Sequence, residues 1–148
     1  MADVASGFRA YLLAQSAITN LIGSGASARF YPDELPQGCT LPACTYSKIS
    51  VRHEHIIGSD WGRSGFAACR LEIECYSLTR SQSSDIADTI MDYVCGPAGR
   101  LRGVYGNINF LDVMVGDGAR TYADSPTDGS DDRRYVTVIE FMVNYFDD

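Results

Sequence analysis

Two histidines, His53 and His55, lie two residues apart, with Glu54 between them and Asp60 close behind. On a strand, alternate residues face one side, so both imidazoles would point the same way and, with a carboxylate, offer part of a zinc site. Neither Cys-x-x-Cys nor His-Glu-x-x-His accompanies them, and a solvated loop pair is the plainer reading. The aspartates Asp124, Asp128, Asp131 and Asp132 resemble a calcium loop in composition only, because they lack its ligand spacing and closing glutamate. Nucleophilic catalysis needs a thiol or hydroxyl beside a base that a third group orients. Cys39 and His53 are of the required types, but nothing in their spacing brings them together, and no Gly-x-Ser-x-Gly elbow occurs. Gly23-Ser24-Gly25 and Gly116-Asp117-Gly118 lack the lysine or third glycine of a phosphate loop. These residues predict no enzyme, no metal site and no cofactor.

Composition narrows the remaining classes. The 148 residues suit a single domain, 1–148, with one core. Hydrophobic content of 45% and charged content of 21% are those of a globular chain, without low-complexity tracts or internal repeats. A net charge of −7 argues against nucleic-acid binding, which depends on Lys and Arg neutralising phosphates. The first residues lack the basic region and apolar core of a secretory signal, and no apolar run reaches the ~18 residues of a membrane helix. Five cysteines in no paired motif predict free, buried thiols. Cys69 and Cys75 fall on one strand face but ~20 Å apart, too far to bond to each other, and read as core fillers.

The elements that would position these residues follow from periodicity. Val4, Phe8, Tyr11 and Leu12 predict a helix over 3–15; the stripe slips at Gln15-Ser16, and Ser16 can cap a short second helix ending at Gly23. Residues 29–31 form a short edge segment stopped by Pro32. Two prolines and a glycine in Leu35-Pro36-Gln37-Gly38-Cys39-Thr40-Leu41-Pro42-Ala43 shape a loop that feeds a strand over 43–51. Residues 52–63, with Arg52, His53, His55, Trp61 and Arg63, read as a long hairpin loop or arm. The strand over 67–77 is the clearest, because Cys69, Leu71, Ile73 and Cys75 alternate with Arg70, Glu72, Glu74 and Tyr76. A second long helix follows, capped by Thr79, Ser81, Ser83 or Ser84 and stopped by Gly96-Pro97. After a loop over 96–106 comes a strand over 107–115. Residues 116–133 hold five aspartates, Asp117, Asp124, Asp128, Asp131 and Asp132, and read as a long acidic loop. The last strand, 134–145, is apolar on both parities, as a central two-sided strand would be. The sum is an α+β domain: a mixed, mostly antiparallel sheet flanked by two main helices.

A short helical N-terminus, then Arg29-Phe30-Tyr31-Pro32, then the Leu-Pro-Gln-Gly-x-Thr-Leu-Pro-Ala loop with Tyr46 and Ile49-Ser50 behind it, resembles the tail-terminator family of long-tailed bacteriophages, also called tail-completion or head-tail joining proteins. The similarity runs through the strand from Cys69 to Ser77 and the helix after it, about the first two thirds of the chain. The resemblance implies a structural virion protein, assembled in the host bacterial cytoplasm and located at the head-proximal end of the tail. Six copies would close into a ring that binds the tail tube protein on one side and the head-tail connector protein on the other. DNA would pass through its channel without specific binding, and no membrane would be involved. A ring needs one patch to meet a different patch on the next subunit. Under this reading Arg52, His53, His55, Trp61 and Arg63 are the candidate subunit interface, since Trp and Arg are enriched where interfaces gain their energy. Asp117, Asp124, Asp128, Asp131 and Asp132 are candidates to face the channel or the tube. The alternatives are another head-tail connector component, or a small ligand-binding or enzymatic domain built on Cys39, His53 and His55.

Overall fold

The computed structural model describes residues 3–53, 66–116, 118–124 and 134–146. Asp3 caps the first helix, α1 (Val4–Leu13), by accepting a hydrogen bond from the Ala5 amide at 3.3 Å. Its stripe is buried as the spacing predicts, with Phe8 and Leu12 fully enclosed. The chain breaks at Ala14-Gln15 and resumes as α2 (Ser16–Ile22), which ends at Gly23 in a positive-φ conformation. Ser16 is not the cap: extended Gln15 takes that position without a side-chain capping bond, and its Nε2 donates back to the Tyr11 carbonyl at 3.2 Å instead.

A single 3-10 turn, Gly25–Ser27, leads to β1 (Phe30–Pro32), which lies parallel to the start of β2 (Ala43–His53) at the sheet edge. Arg29 joins three segments here. Its Nε donates to the Pro42 carbonyl at 2.7 Å and an Nη to the Leu21 carbonyl at 3.1 Å, tying α2 to the proline-rich loop. The antiparallel partner of β2 is β3 (Phe66–Ser77), with a bulge between Lys48 and Ser50. Thr79 caps α3 (Arg80–Cys95) through the Gln82 amide, and Gly96 ends it. The segment expected as a loop over 96–106 contains a short strand, β4 (Gly103–Tyr105), paired with β5 (Ile108–Val115). The last strand is β7 (Arg134–Phe146).

The expected acidic loop is also partly strand. β6 (Arg120–Asp124) pairs antiparallel with the first half of β7, and β5 with its second half. Because β3 occupies the other edge of β7, β5 and β6 form one interrupted line along the same edge, broken around Gly116. The Gly116 amide still reaches the Glu140 carbonyl at 2.7 Å, and a Cβ there would come within 3.0 Å of the Glu140 carboxylate.

The sheet order β1-β2-β3-β7-β5-β4 makes β7 central, as its apolarity predicts. Its two faces are unequal, however. Thr137, Ile139, Phe141, Val143 and Tyr145 are buried, whereas Val138, Glu140, Met142, Asn144 and Phe146 are only half-buried. All three α-helices contribute to a single apolar cluster on the first face, where Phe8 meets Phe141 at 5.4 Å between ring centroids. The architecture is α+β in two layers, and among the described residues no helix covers the second sheet face.

Candidate functional site

The chain's candidate contact residues are distributed by the strands that carry them. β2 is longer than the sequence predicts: Arg52 pairs with Ala68 and His53 with Ala67, so both belong to the sheet and not to an arm. The bulge at Lys48/Ser50 conceals this, because it shifts the alternation that marks a strand. Adjacent residues on a strand point to opposite faces, so Arg52 and His53 do not form one cluster. The His53 Nδ1 is buried and has no hydrogen-bond partner among the described residues. At this end of the sheet Phe66 packs edge-on against Phe146, with centroids 5.9 Å apart. His55, Trp61 and Arg63 lie outside the described residues.

Asp124 is the last residue of β6, in register with Arg134. Asp117, Asp128, Asp131 and Asp132 lie outside the described residues. Phe66 is in register with Phe146, while Ser77 is in register with Tyr135. The strands flanking residues 54–65 and those flanking 125–133 therefore terminate at opposite ends of the sheet. From the first to the last of the 12 residues of β3, at a rise of ~3.3 Å per step, these ends are ~36 Å apart.

Between them lies the uncovered face, which carries a charged network. Arg70 on β3 grips Glu140 on β7 with donors at 2.9, 3.0 and 3.1 Å, a bidentate pairing. Glu72 follows on the same face. Burial, a hydrogen bond and the charge of Glu74, and the charge of Glu140 push its carboxyl above the usual range, with Arg120 opposing in part. Glu72, Gly118, Arg120, Val138 and Glu140 line a cleft of about 140 Å³. Next along β3, the Tyr76 hydroxyl donates to Glu74, and the Arg134 guanidinium sits over the Tyr76 ring at 4.9 Å. Burial and the Glu74 carboxylate push the Tyr76 hydroxyl well up. Met114, 53% exposed, and Tyr122, 41% exposed, add apolar surface to this face.

The alternation of Arg70, Glu72, Glu74 and Tyr76 shows in sequence that this face is wet. That Glu140, Arg120 and Arg134 complete a network there depends on pairing across β7, which no local pattern encodes. Among the described residues, no group of three His, Cys, Asp or Glu side chains is arranged to hold a metal ion. No described helix is long and apolar enough to cross a membrane.

Two comparisons bear on what this architecture belongs to. Over nearly its whole length the fold is similar to that of a chain in the virion of a native gene transfer agent particle: the match covers 96% of this chain and 94% of the other, with a TM-score of 0.55 at 14% sequence identity. At that identity the likeness is one of fold. No curated protein matches the sequence. The family model for tail completion protein gp17 matches residues 7–112, from α1 into β5, taking in the proline-rich loop, β2, β3 and α3. With that match over most of its length, the chain belongs to the tail completion protein gp17 family.

Proposed function

We propose that this protein is the tail terminator of a long-tailed phage: six copies form a ring at the head-proximal end of the tail tube, stop tube growth and join the tube to the head connector. By its family it is a structural component of a phage tail, and in this reading it catalyses nothing. The observation that supports the finer reading is the separation of the strand ends that flank residues 54–65 from those that flank 125–133. The flanks of 54–65 and of 125–133 stand ~36 Å apart at opposite sheet ends, so one subunit has two chemically different ends to offer. A head-to-tail ring of such subunits has two different faces.

In this reading Trp61, with Arg52, His53, His55 and Arg63, supports contact with the neighbouring subunit. The aspartates 117, 124, 128, 131 and 132 face the channel or tube and keep DNA mobile by repulsion. The test adds purified protein to growing tail tubes and images them by negative stain. A cap at one end of each tube and arrested elongation are expected. Tubes that elongate unchanged and carry no cap would overturn the proposal. Trp61→Ala should lower the capped fraction, and wild-type capping by that variant removes the anchor assignment. Asn at positions 124, 128, 131 and 132 should slow DNA passage through assembled tails, and unchanged passage removes the channel assignment.

A further inference from the structure

Two of the five cysteines face each other across neighbouring strands. Cys44 on β2 and Cys75 on β3 are direct partners in the antiparallel register. Neither has exposed surface, and each thiol lies in the electrostatic reach of the other. The Cys44 amide donates away from β3, to the Arg29 carbonyl on the other side at 2.9 Å. Its peptide groups are thus turned from β3, which makes 44/75 a non-hydrogen-bonded pair, the type whose side chains approach most closely. The Cα atoms of such pairs lie ~4.5 Å apart, at the near end of the range a disulfide spans. Cys69 has no such partner, being opposite Val51 and Val143.

We infer that Cys44 and Cys75 are a cross-strand disulfide-forming pair, a modification site at the base of the β2–β3 hairpin that a small peroxide closes and a thiol reductant opens. One sulfur attacks a peroxide oxygen, the O–O bond breaks, and a sulfenic acid forms with release of water. The second thiol then attacks that sulfur; the S–O bond breaks, the S–S bond forms, and a second water leaves. One peroxide is reduced, and two thiols are oxidised. The Cys44 thiol beside it, burial and the nearby Glu74 charge push the Cys75 thiol well up, so thiolate is scarce and closure is slow. The Cα separation of such a pair lies within the range a disulfide spans, and an excess of thiol reductant reopens the bond by exchange. Once closed, it links the strand beside β1 to the central sheet and encloses the chain between positions 44 and 75, which restricts the unfolded state.

The experiment exposes the folded wild-type protein to hydrogen peroxide, alkylates the remaining thiols in denaturant and maps peptides without reduction. The expected result is a 44–75 linked peptide that dithiothreitol releases, with a thermal midpoint raised by several degrees in the linked protein. Cys75→Ala should lose both the link and the shift. Recovery of Cys44 and Cys75 alkylated, or as separate sulfinic acids, after half-buried Cys39 and Cys95 have reacted would overturn the inference. A link joining any other two cysteines would overturn it as well. The wild-type map decides the matter even if the variant does not fold.

Discussion

Replacing Gly7 by alanine sets helix propensity against packing. Gly7 lies inside α1, where alanine is favoured over glycine by ~1 kcal/mol. A Cβ at this position would meet the Tyr105 carbonyl oxygen at 2.6 Å and the Phe110 ring at 3.1 and 3.2 Å. On the other side of the contact, a Cβ on Gly106 would lie 2.9 Å from the Gly7 Cα, so helix and turn cross glycine to glycine. The obstructing oxygen is backbone, and no rotamer change removes it; the β4–β5 turn has to move away from α1. Gly106 at a φ of +58° and Asn107 at +66° form the left-handed two-residue turn that sets the β4–β5 register. Overpacking of this kind costs ~1–3 kcal/mol, and a contact this short belongs in the upper part of that range. Subtracting the propensity gain leaves Gly7→Ala less stable by ~1–2 kcal/mol, a fall in melting temperature of ~3–8 °C for a domain of this size. Urea denaturation with thermal melting followed by circular dichroism measures it. A variant stabilised by ~1 kcal/mol would show that propensity wins and that the close crossing of α1 over the turn is wrong.

Two further changes test the capping and the open face. Asp3→Ala removes the α1 cap and the 3.1 Å pair with Lys48; the cap should account for ~1 kcal/mol, and the pair, nearly half exposed, for little. Burial raises the Asp3 carboxyl, but Lys48, the Ala5 amide and Ser6 together outweigh it and hold the carboxyl below its usual range. That contribution is present above the unfolded value and lost as pH falls through the folded one, so the gap between Asp3→Ala and wild type in urea midpoint should narrow on acidification; a constant gap refutes it. Glu72 is the opposite case, raised in the folded state, so its contribution is full below the unfolded value and lost as pH rises through the folded one. Glu72→Gln should therefore melt higher than wild type at neutral pH and equal to it below ~pH 4. A lower midpoint at neutral pH would mean that the Glu72 charge is stabilising.

The elements that sequence reading finds are those whose burial is one-sided and local. β3 alternates because helices cover one face and leave the other wet, and α3 shows its stripe, its Thr79 cap and its Gly96 stop within consecutive residues. β6 escapes because Arg-Thr-Tyr-Ala-Asp is short, carries no apolar run and is strand only by pairing with β7. β4 is three residues whose pairing to β5 decides its state. The bulge hides the end of β2 and with it the true setting of Arg52 and His53. β7 reads as two-sided because Val136, Val138 and Met142 are apolar, yet those last two are only half-buried on the face that no described helix covers. The contact of Cys44 with Cys75 lies across 31 positions of chain. Composition could class such thiols as buried but could not pair them.

The central claim is a ring of subunits, and the most direct measurement is the light-scattering mass of the purified protein over a wide concentration range, with negative-stain images of the same samples and of samples mixed with tail tubes. The account predicts a closed ring of about six subunits with a central hole, alone or at the tube end. A monomer or dimer at every concentration, with tubes present as well as absent, would contradict it.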